Sequence, residues 1–326
     1  MTDTADTALA AARFPCARFI KEIGRGPNGA RALSADDTYA LYSAMLDGRV
    51  SDLELGAILL AYRVKGETAG ELAAMLAAAH ASFKPVHVHD RVHRAVSIPS
   101  YNGARKQPNL VPLLALLLAR EGVPVLVHGI TEDPGRVTSA EIFAKLGIES
   151  ARTHDEIEDA IARRRVAFAP IATLAPKLAR LLLLRQIMGV RNSTHTLVKI
   201  LQPFAPAGLR LVNYTHPPYR ENLTKLFSEH PDAATGGALL ARGTEGEAVA
   251  DTRRQVQIDW LHDGVCEMLV APERSSPDAP EVDLPEARDA DTTAAWIESV
   301  LRGETPVPTA VARQIDVIAG VSERAG

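Results

Sequence analysis

Residues Pro99–Gly129, PSYNGARKQPNLVPLLALLLAREGVPVLVHG, decide the fold class. Arg94–Ile98 before them is a short apolar stretch of strand type, and Pro99–Pro108 is a polar loop carrying Asn102-Gly103 and the pair Arg105-Lys106. Asn109 is placed as an N-cap for an apolar helix over Leu110–Arg120. Gly122 stops that helix, and the β-branched run Val123–Val127 forms a buried strand ending at His128-Gly129. Strand, loop, helix and strand in this order make a βαβ unit. In open α/β sheets the ligand sits beyond the strand C-termini, often against a helix N-terminus. The Pro99–Pro108 loop is therefore where an anion should bind, and no Asp or Glu occurs between Pro99 and Arg120.

Upstream, Phe19–Gly26 reads as a helix with a glycine stop, with Lys21 and Arg25 on one face. Ser34 and Ser51 begin further helices, the second with Glu54 three residues on as a capping box. Glu67–Phe83 is Ala-rich and helical. Residues 1–12 read as a frayed terminus, and Lys84–Arg94 as a linker with three histidines. Downstream, helices are expected over Ser139–Gly147, Asp155–Arg165, Leu174–Met188, Arg191–Leu201, Pro218–Phe227, Thr292–Leu301 and Thr309–Ile318. Strands are expected at Val166–Ala169, Leu209–Asn213 and Gly237–Ala241, with Asp251–Trp260 extended and Glu273–Asp291 a long acidic loop. Alternation of strand and helix implies a mainly parallel sheet. The expected organisation is a helical domain over 1–88, with helices of about 172–201 packed onto it, and an α/β domain over 89–326.

The 326 residues carry a formal net charge of −4 and two cysteines, Cys16 and Cys266. That balance excludes a bulk-basic nucleic-acid binder, and the cysteine usage fits a reduced, cytoplasmic protein with no membrane span. The charge is segregated, however. Ala160–Arg220 has no Asp or Glu but holds Arg163, Arg164, Arg165, Lys177, Arg180, Arg185, Arg191, Lys199, Arg210 and Arg220. Such segregation predicts a local positive field.

Three stretches carry a family resemblance: MLDGRVSDLELGAILLAYRVKGET (Met45–Thr68), SAEIFAKLGI (Ser139–Ile148) and RQIMGVRNSTH (Arg185–His195). They resemble the helical signature, the S-A-D-x-L-x-x-L-G segment and the R-x-x-L-G-x-R-T-x-x-N segment of anthranilate phosphoribosyltransferase, a glycosyltransferase family 3 enzyme with the type II nucleoside phosphorylase fold. The resemblance implies a small α domain, a larger α/β domain and a homodimer formed through the helical domain. Its catalytic motifs do not carry over. The G-T-G-G-D diphosphate loop aligns with Pro99-Ser100-Tyr101-Asn102-Gly103, and K-H-G-N-R aligns with Val127-His128-Gly129-Ile130-Thr131. The serine-rich phosphate loop is unrecognisable in Asp133–Ser139. The magnesium-binding Asp-Glu pair aligns with Ala248-Val249, leaving Glu245 and Glu247 as the nearest acids. L-G-P becomes Leu197-Val198-Lys199. Arg185 matches the arginine that meets the anthranilate carboxylate.

SYNGARKQPNL, VHGITEDPGRV, MGVRNSTHTLVK and GTEGE look like the second, YbiB-type branch of these paralogues. That branch implies low-specificity nucleic-acid binding by a dimer without transferase activity or cofactor. The nucleic-acid contacts expected on this reading are Arg105, Lys106, Arg185, Arg191, Lys199, Lys21 and Arg25, with Tyr101, His195 and Tyr214 able to stack on bases. The former substrate cleft comprises Asn102, Gly103, Asn109, His128 and Gly129. The rival expectations are a divergent glycosyltransferase that uses a phosphorylated sugar with Mg²⁺, and a small-anion sensor.

Overall fold

The computed structural model describes residues 13–26, 28–273 and 284–324. The terminus at 1–12 and most of the acidic loop after Glu273 lie outside the described residues. The chain opens with four helices, α1 (Ala17–Ile23), α2 (Ala35–Leu46), α3 (Asp52–Lys65) and α4 (Ala69–His80). Their starts follow the caps: Ser34 Oγ accepts from Asp37 N–H, and Ser51/Glu54 and Thr68/Glu71 form capping boxes. The α/β part begins with β1 (Val86–His87), β2 (Val96–Ser100), α5 (Val111–Arg120), β3 (Val125–Gly129), α6 (Ser139–Lys145), α7 (His154–Arg164) and β4 (Val166–Pro170). Then come α8 (Ile171–Leu174), α9 (Pro176–Met188), α10 (Thr194–Leu197), β5 (Phe204–Ala205), β6 (Leu209–Tyr214), α11 (Pro217–Glu229) and β7 (Ala238–Arg242). The chain closes with β8 (Ile258–His262), β9 (Val265–Val270), α12 (Ala290–Leu301) and α13 (Thr309–Arg324).

The main sheet has the order β4-β3-β2-β6-β7-β8-β9. It is parallel from β4 to β7 and antiparallel across β7-β8 and β8-β9. β1 and β5 make a separate parallel pair. One face of the main sheet packs on α5, α6, α12 and α13 through residues such as Ile98, Leu114, Phe143, Ile297 and Val311. The other face is covered by α7 and α8 through Leu126, Ile157, Ile161 and Leu174. A third core unites α1–α4 with α9, α10 and α11 around Phe19, Tyr42, Ile58, Leu178 and Leu197. The protein is thus a small helical domain joined to an α/β domain with a mainly parallel sheet.

Three local expectations are corrected. The helix expected over Leu174–Met188 is broken at Ala175, because Pro176 has no N–H to continue the ladder. Helix over Arg191–Leu201 shrinks to α10. Gly189 ends α9 at φ 71°, and the Asn192 side chain donates to Leu181 O while accepting from Thr194 N–H, which fixes a turn. The stretch expected to be extended over Asp251–Trp260 reaches the sheet only at β8. It continues into an unexpected hairpin with β9 through Asp263-Gly264, both at positive φ. No helix among the described residues is long and apolar enough to cross a membrane.

Candidate functional site

Of the ten cations between Ala160 and Arg220, seven serve the fold. Arg163 pairs with Asp159, Arg165 with Asp90, Lys177 with Asp47 and Arg220 with Asp259, at 2.5–2.8 Å. Arg164 donates to Val166 O and Arg180 to Met45 O. Arg210 is fully buried, donating to the carbonyls of Ile200, Ala233 and Thr235. Arg185, Arg191 and Lys199 remain; Arg191 and Lys199 line one place, and the exposed Arg185 is near enough for its charge to act on Arg191.

That place is a cleft of about 550 Å³ between the helical domain and the C-terminal ends of the sheet strands. The end of α3 lines it with Arg63 and Lys65, the α9–α10 segment with Arg191, His195 and Lys199, and the β6–α11 connection with Tyr214, His216 and Tyr219. Burial first, then the like charges of Arg185 and Arg136 and more weakly Arg63, hold Arg191 below its ordinary pKa. Burial pushes Lys199 down to about 8, with Arg191 and Arg136 adding to the effect and Glu247 opposing it. His195 is pushed down to about 4 by burial and Arg191, so it is neutral at neutral pH. Burial is the largest cause of all three shifts and the like charges add to it, so several cations share one cleft, with Glu67 in its lining and Glu245 3.9 Å from Arg136 as the acids beside them. Lys65 is the exception, since it is paired with the buried Glu71 at 2.7 Å.

The loop after β2 was expected to offer its backbone to an anion, and it does, but the anion is internal. Asn102 and Gly103 N–H both donate to Glu247 Oε1 at 2.7 Å. Arg105, Lys106 and Gln107 N–H donate to Glu245 Oε1 at 3.3, 2.7 and 3.0 Å. Two carboxylates from the Gly243–Glu247 turn thus occupy a nest of five amides. Glu245 holds φ 52° to reach it, a conformation rarely adopted by a residue with a side chain. Burial raises the Glu247 carboxyl pKa, opposed by its hydrogen bonds and by Lys199. Lys199 Nζ donates to Gly246 O at 3.0 Å, Asn102 Nδ2 to Glu245 O at 3.0 Å, and Arg191 Nη2 to Asn102 Oδ1 at 3.0 Å. The plug and the cation cluster form one network.

Several expected site residues fall outside the cleft. Tyr101 is buried, with its hydroxyl 2.7 Å from His128 Nδ1, so it cannot stack on a base. His128 is buried and pushed down to about 3, a neutral packing residue rather than an anion contact. Gly129 is needed because a Cβ there would overlap the Ser100 carbonyl. Asn109 is buried too. It donates to Val137 O and Ser139 Oγ and accepts from Val111 N–H, but it is not the N-cap: α5 starts at Val111 with Leu110 in the cap position, one residue later than expected. Asn102 does line the cleft, but its amide and that of Gly103 are spent on Glu247. Arg105 and Lys106 are exposed but do not line the cleft, and their amides are taken by Glu245. Lys21 and Arg25 sit on and just after α1, away from the cleft lining, and Arg25 pairs with Glu22 at 2.7 Å. Sequence reading missed Arg63, Arg136, Tyr219 and the plugging role of Glu245 and Glu247. Tyr219, 46% exposed beside Arg191, offers the free aromatic face that Tyr101 does not.

Residues 17–83 match the helical bundle domain of the glycosyl transferase family. The chain is 42% identical to YbiB of Escherichia coli K12 over 300 residues, 91% of each protein. The chain belongs to the YbiB-type branch of the anthranilate phosphoribosyltransferase family. Anthranilate phosphoribosyltransferase 2 of Ralstonia nicotianae is 30% identical over 229 residues, 69% of this chain and 63% of that enzyme. The family fold is also seen in anthranilate phosphoribosyltransferase from Thermus thermophilus. That structure matches with a TM-score of 0.70 at 22% identity, over 94% of this chain and 88% of the other.

A family enzyme of yeast has been crystallised with PRPP and Mg. Here the residues do not fit such a metal. The pair the resemblance puts in the metal-binding place is Ala248-Val249, which offers no side-chain donor, and Glu245 and Glu247 each give their Oε1 to backbone amides, leaving Glu247 Oε2 as a lone buried oxygen.

Proposed function

We propose that the protein binds nucleic acid with little sequence preference, as a homodimer, and performs no phosphoribosyl transfer. The observation that carries this reading is the pairing of an internally plugged diphosphate loop with an open cluster of Arg63, Arg185, Arg191 and Lys199. The plug removes the donors that a diphosphate would need. The cluster keeps what a phosphodiester backbone needs, since each neutralised phosphate releases counterions. Tyr219 and Tyr214 supply sequence-tolerant stacking faces at the cleft edge.

Dimerisation is supported by exposed apolar side chains on the helical domain. Leu53, Leu60 and Val64 follow one stripe of α3, and Leu183 and Ile187 one stripe of α9. A second copy is the occupant this reading assigns, and two clefts would then share one strand with gain in avidity.

The test is equilibrium binding of a labelled oligonucleotide of arbitrary sequence to the wild-type protein and to Arg185→Glu/Arg191→Glu. A parallel assay follows consumption of phosphoribosyl pyrophosphate with anthranilate and Mg²⁺. The reading predicts binding that the charge reversal weakens at least tenfold for every sequence, with no turnover. Turnover, or affinity untouched by the reversal, would overturn it.

A further inference from the structure

One side chain in the cleft has a chemistry that charge neutralisation leaves unused. The hydrogen-bond partner of Lys199 Nζ is the Gly246 carbonyl and not a carboxylate. The charged and titratable groups facing it are Glu247 from the plug, which attracts, Arg191 and Arg136, which repel, and the neutral His195. With burial the largest influence, the amine is pushed down to about 8. A lysine pushed down this far carries a larger unprotonated fraction near neutral pH than an ordinary lysine does. A desolvated lysine among other cations is a competent nucleophile toward carbonyl carbon.

The cleft selects which carbonyl. Its arginines favour a polyanion, and its volume of about 550 Å³ suits an extruded sugar within the ~300–1,000 Å³ range of ligand pockets. The carbonyl that a phosphodiester chain carries is the ring-opened aldehyde of an abasic deoxyribose. We propose that Lys199 captures abasic nucleotides covalently, its Nζ forming a Schiff base with the C1′ aldehyde while Arg63, Arg185 and Arg191 hold the flanking phosphates. The Nζ lone pair adds to C1′, and the carbonyl oxygen takes up a proton from solvent as the nitrogen gives one up. The carbinolamine hydroxyl then takes a second proton and leaves as water, giving the iminium. This proposal rests on the nucleic-acid reading above.

The experiment uses the whole protein at saturating concentration, an oligonucleotide with one abasic site, and sodium borohydride, whose hydride reduces the iminium to a stable secondary amine. The expected result is one covalent adduct that peptide mass spectrometry maps to Lys199. Trapping should rise with pH from 6 to 8, fall more than tenfold in Lys199→Arg, and vanish with a tetrahydrofuran abasic analogue that lacks the aldehyde. Adducts mapped to other lysines, or equal trapping by Lys199→Arg, would overturn it. So would absence of an adduct under conditions where an intact oligonucleotide is bound, and that outcome leaves the binding reading standing. Failure to bind any oligonucleotide removes both.

Discussion

Replacing Glu247 tests the internal plug most sharply. Its Oε1 accepts from two backbone N–H groups at 2.7 Å in a site almost closed to solvent. Glu247→Ala leaves Asn102 and Gly103 N–H without an acceptor, and each unmade buried bond costs about 1–3 kcal/mol. Relief of a buried charge offsets part of that, so the expected net loss is about 1–5 kcal/mol. Glu247→Gln keeps the acceptor and removes the charge whose burial raises the carboxyl pKa, so its cost should stay below about 1.5 kcal/mol. Urea unfolding followed by tryptophan fluorescence, compared at a common slope, gives both values. If Glu247→Ala lies within about 0.5 kcal/mol of wild type, the nest is not being held by this carboxylate. The same conclusion follows if the glutamine variant loses as much as the alanine one.

Acid should destabilise the protein well above the carboxylate range. Burial, the chief cause in each case, pushes His128 down to about 3 and His80 and His195 down to about 4. The unfolded chain therefore binds more protons than the folded one between about 6.5 and 4, and stability falls as pH drops through that window by up to about 1.4 kcal/mol per pH unit for each histidine. Thermal melts from pH 7.5 to 5 should show the slope, His128→Gln should reduce it, and a flat profile would contradict the assignment. Tyr101→Phe removes the hydroxyl that meets His128 and should cost about 1–2 kcal/mol in stability while leaving oligonucleotide affinity unchanged. A clear loss of affinity would return Tyr101 to the binding site. Leu53→Asp with Ile187→Asp should shift the protein from dimer to monomer in sedimentation velocity, and an undisturbed dimer would place the interface elsewhere.

What could be read from the sequence follows the range over which each interaction acts. The β2-α5-β3 unit was legible because periodicity and Gly122 are local, and so were the Ser34 and Ser51 caps. The β8–β9 hairpin was not, because β9 is mostly exposed and gives no buried face to recognise, although Asp263-Gly264 carried the turn signal. The excess of cations over Ala160–Arg220 was visible, but its allocation was not. Arg165 finds Asp90 and Lys177 finds Asp47 across 75 and 130 residues of sequence. The plug lay deepest, since Glu247 meets Asn102 across 145 residues. An acid-free loop looked like an open anion site because the acids that fill it come from another strand connection. Tyr101 misled for a similar reason, since a polar neighbourhood concealed a buried ring.

The central claim is that a cation cluster, freed from transfer chemistry, neutralises a phosphodiester backbone. Its most direct measurement is the dependence of oligonucleotide affinity on salt. With four to five phosphates engaged at about 0.7–0.9 each, log K against log salt should fall with a slope of about −3 to −4.5 for one cleft, independent of sequence. Arg191→Glu should flatten the slope by about one contact. A slope near zero, or one that Arg191→Glu leaves unchanged, would contradict the account.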